Sequence, residues 1–296
     1  MATYVVDQNR MRKPELQTRI NDELGSRFVI PDVALVEMSK SETHWQDTMK
    51  NSLSPLRPAL GRTILSLSIG EAMSIELSRY SAITSEELLP DDFTNFVREL
   101  VVEFDENRVG TSLARVMSGF KDVRAKLANE DLDAQSRKAQ IEKIVELWRR
   151  GLKPELLSAL RSERYEPSFR LAFIQCYVDA YLFPNEMEKL GLTEIQRFSF
   201  RDEKPMLLRY MYLVVRHALD WAISSGLENT TPEKELNHLL DMEYAAIASY
   251  YDGLLTEDKG ARLAYDDLAQ ILNTSTDSAC ALYQSVFDQI FPDPNA

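Results

Sequence analysis

The sequence predicts an α/β fold in which a parallel sheet is flanked by helices and carries a large all-helical insertion. Two short β-branched and aromatic runs near the start, Thr3 to Val6 and Phe28 to Ile30, are each followed by a helical pattern. A third short apolar run, Leu254-Leu255, comes after a helix and a turn near the end. Parallel pairing needs a crossover of a dozen or more residues between strands, usually a helix, and strands alternating with helices fit that requirement.

Thr3 to Val6 reads as a strand that ends at Asp7, with Gln8 and Asn9 after it. Pro14 suits the first turn of a helix, Leu16, Ile20 and Leu24 repeat every four residues, and Gly25 is placed to close that helix in the left-handed conformation. Phe28 to Ile30 is the second strand, and Pro31 opens a helix running through Ser39. On it Val33 and Glu37 are four apart, so the glutamate leaves the same face as apolar side chains. A buried ionised acid is costly without a partner, so Glu37 calls for a cation, an arginine or a backbone cap.

Ser41 to Pro58 is polar and then helical, with a break at Pro55 and Pro58. Ile64 to Ser68 alternates as a strand does and fits a helix start nearly as well. Asp91 or Asp92 caps a helix whose Phe93, Phe96, Val97, Leu100, Val101 and Phe104 form a core stripe. Further helices are expected at about 108–128, 134–150, 154–163, 168–183 and 205–225, with no repeat period. The predicted division is a discontinuous sheet domain, 1–70 and 232–291, around a helical region, 71–231.

The last block is the most informative. Asp241, Ala245 and Ala248 share a helix face with small residues that allow close packing. Asp252-Gly253 reads as a turn, Leu254-Leu255 as a buried strand, and Thr256-Glu257-Asp258 as its exit. Lys259 to Asn273 is an amphipathic helix, a last helix begins at Asp277 or Ser278, and the tail from Pro292 is expected to be loose.

Composition narrows the function. A hydrophobic content of 44% with 27% charged residues is ordinary for a water-soluble protein, and no run approaches the roughly 18 apolar residues of a membrane helix. With no leader-like start, a cytoplasmic protein without a membrane role is expected. The net charge of -13 argues against a generally basic nucleic-acid binder. Cys176 and Cys280 stand in apolar helical contexts, as small buried hydrophobes do, and support neither a disulfide framework nor a cysteine zinc site. His44, His217 and His238 lack metal-ligand spacing, and no serine-hydrolase elbow or phosphate loop is present.

What remains is a set of acids at strand ends and on neighbouring helices. Tyr-Val-Val-Asp-Gln-Asn at the start, Phe-Val-Ile-Pro-Asp-Val-Ala-Leu-Val-Glu next, and Asp-Met-Glu-Tyr through Leu-Leu-Thr-Glu-Asp-Lys near the end resemble the three motif blocks of PIN-domain nucleases. The resemblance implies a parallel sheet with helices on both sides and an acidic cluster holding Mg²⁺ or Mn²⁺ for phosphodiester hydrolysis, most often of single-stranded RNA. Asp7, Glu37, Asp241 and Asp258 would be the catalytic metal ligands, with Asn9 and Thr256 as polar helpers. A toxin or phage-defence setting, in which PIN-like nucleases often serve, is an extension of that implied activity. The match covers residues 1–40 and 232–272; Gln8 replaces the family's small residue, and roughly 160 residues separate blocks that ordinary members place much closer. Asp252 competes for the fourth position, but it precedes the last strand instead of following it.

Four carboxylates at about 5 Å repel by roughly 3 kcal/mol per pair at an effective dielectric of 20. Either protons or a hard divalent ion must relieve that, and a ligand set without His or Cys favours Mg²⁺ or Mn²⁺ over Zn²⁺. Asp7-Gln8-Asn9 excludes the Asp-x-Glu opening of DEDD exonucleases and the Asp-x-Asp of haloacid-type phosphatases.

Charge is uneven along the chain. Arg108 to Arg170 holds 14 basic and 9 acidic residues. Lys121, Arg124, Lys126, Arg149 and Arg150 are the candidates for contact with a nucleic-acid backbone, against the plain alternative of a solvated helix face. A docking site for an acidic protein partner or inhibitor is a third use of the same charge. The alternative for the whole chain is a non-catalytic module that keeps the PIN-like scaffold for protein contacts.

Overall fold

The computed structural model describes residues 1–40, 43–90, 93, 95–127, 134–224 and 230–291, the side chains at 120–127, 134, 137, 163, 166 and 167 excepted. Asp91, Asp92 and the tail from Pro292 lie outside the described residues, as do the side chains of Lys121, Arg124 and Lys126. The fold is α/β, mostly helical, with a small all-parallel sheet. Two compact units are present: residues 1–75, 83–133 and 238–265 form one, and 76–82, 134–237 and 266–296 the other.

The first unit holds the sheet. Its strands are β1 (Thr3–Val6), β2 (Arg27–Ile30), β3 (Thr63–Leu65) and β4 (Gly253–Leu255), in the order β3-β2-β1-β4. Ile64-Leu65 is therefore strand, and the helix-start alternative applies only from Ile69. Val5 and Val6 at the centre are fully buried, as are Phe28, Val29 and Ile30 beside them. The chain moves outward through β2 and β3 on one side of β1 and returns much later to add β4 on the other. That reversal beside β1 is the topological switch point, where the loops leaving the strand ends diverge and open a crevice.

The helix Pro232–Ala248 packs its small residues inward, with Ala245, Ala246, Ile247 and Ala248 all fully buried. The helix Phe96–Asp105 buries Phe96, Val97, Leu100, Val101 and Phe104 of the expected stripe, while Phe93 precedes the helix and is half-buried. One local expectation fails. Gly25 does not adopt a left-handed conformation, and Leu24 is 77% exposed. The helix Pro14–Asp22 is closed from outside: Arg62 donates to the carbonyls of Glu23 and Ser26 at 2.8 Å and to that of Ile20. A guanidinium fork thus satisfies the carbonyls that a glycine-ended helix would satisfy with its own backbone.

The second unit is helical. Its long helix Met206–Ile223 begins after Pro205, which offers no side-chain cap. The fully buried Glu76 supplies one, accepting from the N–H groups of Met206 at 2.7 Å and Leu207 at 3.1 Å. The helix expected to stop near residue 183 continues: Glu166–Tyr177 runs through a π-helical turn, Val178–Leu182, into Phe183–Lys189. The extra residue of the π turn leaves Pro184 in the first turn of the next segment, where its missing N–H does no harm. Helix Glu194–Asp202, absent from the expectations, opens with a Thr193–Gln196 capping box. Cys176 and Cys280 are partly exposed and touch each other, so they are more than separate apolar fillers. Among the described residues no helix is long and apolar enough to cross a membrane.

Candidate metal centre

Strand β1 delivers Asp7 to the carboxyl edge of the sheet. Its backbone N–H donates to the Leu255 carbonyl at 3.0 Å, so the ladder with β4 continues up to the acid. The side chain is only 2% exposed and accepts from the Asn9 N–H at 3.2 Å, capping the short helix Gln8–Met11. Its other oxygen accepts from the Thr256 hydroxyl. Thr256 Oγ1 in turn accepts from the Asp258 N–H at 2.9 Å, so one hydroxyl joins the acids that follow β1 and β4.

Asp258 begins the helix Lys259–Asn273, its Oδ1 accepting from the N–H groups of Gly260 at 2.6 Å and Ala261 at 3.0 Å. Gly260 matters here for space. A Cβ on it would stand 3.0 Å from Asp258 Oδ1 and 3.9 Å from Asp241 Oδ2, so both carboxylates close on its bare backbone.

Asp241 and Tyr244 are three apart on the helix Pro232–Ala248 and project from one side. Tyr244 is fully buried; its hydroxyl donates to Glu37 Oε2 at 2.7 Å and accepts from the Gln8 N–H at 3.4 Å. Glu37 comes from the helix Asp32–Met38, and its Oε1 lies 3.6 Å from Lys40 Nζ. The partners that the sequence demanded for Glu37 are thus a phenol and a lysine.

The electrostatics show how tightly these acids are associated. Burial, followed by the charges of Asp258, Glu37 and Asp7, pushes Asp241 up to about 8, with Lys40 the opposing charge. Burial raises Asp7 above the ordinary carboxylate range against the pull of the Thr256 hydrogen bond. It raises Glu37 likewise, with Tyr244 and Lys40 opposing. Burial first and the Glu37 charge second hold the Tyr244 phenol protonated. The charges of Asp258, Glu37 and Asp7 thus each act on Asp241. Among the described residues, no group of three or more His, Cys, Asp or Glu side chains is arranged to hold a metal ion.

The other candidates fall elsewhere. Asp252 sits at the amino end of β4, accepting from the Thr3 N–H at 2.6 Å, at the opposite edge of the sheet from Asp258. Asn9 is exposed and enters through its backbone, not its amide. Arg149 donates to the carbonyls of Trp221 at 2.9 Å and Ser224 at 2.8 Å, closing the end of helix Met206–Ile223. Arg150 is exposed and pairs with Glu146 one turn back.

Sequence reasoning passed over Tyr244, Lys40 and Gly260. Tyr244 had a readable signal, since it lies one helical turn beyond Asp241. Lys40 and Gly260 carried none. Compared with known proteins, the chain matches no protein-family model, no curated protein and no solved structure.

Proposed function

We propose that the chain is a metal-dependent phosphodiesterase of the nuclease class, with single-stranded RNA the favoured substrate and Mg²⁺ or Mn²⁺ the cofactor. The observation that carries this reading is the approach of Asp241 and Asp258 to the bare backbone of Gly260, where burial and then the charges of Asp258, Glu37 and Asp7 push the Asp241 carboxyl up to about 8. Such a group is poised to exchange its proton for a divalent cation. The donors around it are carboxylate and hydroxyl oxygens, a hard set that suits Mg²⁺ or Mn²⁺.

In this reading Asp7, Glu37, Asp241 and Asp258 hold the metal, which when bound lowers the pKa of water and stabilises charge on the phosphodiester. Thr256 fixes the orientation of Asp7 and the start of the loop carrying Asp258. Tyr244 positions Glu37, and Lys40 moderates the charge of the unloaded cluster. The existing bonds to Asp7 and Asp258 leave lone pairs for a ligand, because an ionised carboxylate accepts at about four sites.

A second reading, a PIN-like scaffold kept for protein contacts, draws on the same bonds: Asp7 and Asp258 already serve as helix caps. Titration calorimetry with MnCl₂ at pH 8 separates the two. The nuclease reading expects saturable binding that releases protons and is lost in Asp241→Asn. No heat beyond dilution in the wild type favours the scaffold.

A further inference from the structure

The chain contains two cysteines, and the fold brings them together. Cys176 and Cys280 are 104 residues apart in sequence, yet their sulfur atoms lie 2.7 Å apart, with the Cys176 thiol donating toward the Cys280 sulfur. Cys176 is in the last turn of helix Glu166–Tyr177 and Cys280 is near the start of helix Thr276–Ile290. Both are free thiols and partly exposed.

Contacts on either side fix the two helices at this point. Tyr283 stacks on Phe169 with ring centroids 6.1 Å apart and meets Phe173 at 5.9 Å. Toward the helix start, the Gln175 amide donates to the Thr274 carbonyl at 2.9 Å and the Thr276 hydroxyl to Asp179 at 2.6 Å. One cysteine in such a place is a small apolar side chain. Two thiols in contact across a long loop have the approach that disulfide formation needs.

We propose that Cys176 and Cys280 form a reversible thiol–disulfide modification site, oxidised by a low-molecular-weight disulfide of the glutathione class, that clamps the helix Thr276–Ile290 to the helix Glu166–Tyr177. Burial and the adjoining sulfur push the Cys176 thiol up, and in this exchange Cys280 attacks first. The Cys280 thiolate attacks one sulfur of the small disulfide, breaking its S–S bond, releasing one thiolate and forming a mixed disulfide. Cys176 then gives up its proton to water and attacks the Cys280 sulfur, expelling the second thiolate. Two electrons pass to the reagent, which leaves as two thiols after taking up the two protons; excess thiol runs the exchange backward. The bond closes a loop of about 100 residues and so restricts the unfolded chain.

The test equilibrates the full chain in glutathione buffers from fully reduced to fully oxidised, blocks free thiols with N-ethylmaleimide, and maps peptides by mass spectrometry without reduction. Thermal melts run in parallel. The oxidised arm should yield a Cys176–Cys280 linked peptide pair and a Tm higher by about 5–10 °C. The reduced arm should yield two alkylated cysteines, and Cys176→Ser and Cys280→Ser should melt alike in both buffers. The proposal is overturned if both wild-type cysteines are alkylated at the oxidised end, if only single glutathione adducts form, if the link joins two copies of the chain, or if the link forms without raising Tm. These readings come from the wild type, so a serine variant that folds poorly does not obscure them.

Discussion

Tyr244 donates its buried phenol to Glu37 at 2.7 Å across 207 residues of chain, and this bond draws the helix bearing Asp241 to the helix that follows β2. Because the acceptor is a carboxylate, the bond favours the ionised form of Glu37. Tyr244→Phe should lower stability by about 1.5–3 kcal/mol at pH 8, measured by urea unfolding. The loss should shrink as the pH falls and Glu37 becomes protonated. An equal loss at pH 4 and pH 8 would mean that the contribution of the hydroxyl does not depend on the charge of Glu37.

Asp241 bears on how stability depends on pH. Its folded form keeps a proton to about pH 8, while the unfolded chain releases one near the ordinary carboxyl value of 3.8. The folded state therefore binds more protons between those values, and stability falls as the pH rises from about 4 to about 8. Asp7 and Glu37, both raised, act in the same direction. In EDTA, Asp241→Asn should stabilise the protein at pH 8 by on the order of 1–3 kcal/mol and flatten this decline. A melt series from pH 5 to 8.5 checks it; wild-type stability that rises toward pH 8 relative to the variant contradicts it.

Thr256 bridges the ends of β1 and β4 by donating to Asp7 and accepting from the Asp258 N–H. Thr256→Val removes both bonds at nearly constant shape and should cost about 1–3 kcal/mol. Thr256→Ser, which keeps the hydroxyl, should retain most of that. Urea midpoints for the pair separate the hydroxyl from the methyl.

Arg149 and Arg150 are neighbours with different roles. The first closes the carbonyl end of helix Met206–Ile223, and the second makes an exposed pair with Glu146. Arg149→Ala should destabilise by about 1–3 kcal/mol, and Arg150→Ala should stay within about 0.5 kcal/mol. If both variants melt like the wild type yet bind RNA less tightly in a filter assay, the capping role of Arg149 is wrong.

The strand ends were legible in the sequence because a short β-branched run followed by an acid is a local signal. Asp7 and Asp258 lie where β1 and β4 end, and Asp252 lies at the other edge, as its place before the strand implies. The satisfaction of polar groups over distance was not legible. Arg62 closing the helix before Gly25, Glu76 capping Met206 and Tyr244 meeting Glu37 all join segments at least 36 residues apart, and no window of sequence contains both partners. The Thr193–Gln196 box was local and could have been read. Pro184 misled because a proline normally ends a helix, and the π turn before it removes the conflict.

The proposed nuclease activity is tested by incubating single-stranded RNA with the full chain and Mn²⁺ or Mg²⁺, beside an EDTA control and the variants Asp7→Asn, Asp241→Asn and Asp252→Asn. Metal-dependent cleavage is expected, reduced at least a hundredfold by the first two substitutions and left near wild type by the third, at the far edge of the sheet. Cleavage that persists in Asp7→Asn and Asp241→Asn, or no cleavage of RNA or DNA together with no thermal stabilisation by either metal, would contradict it.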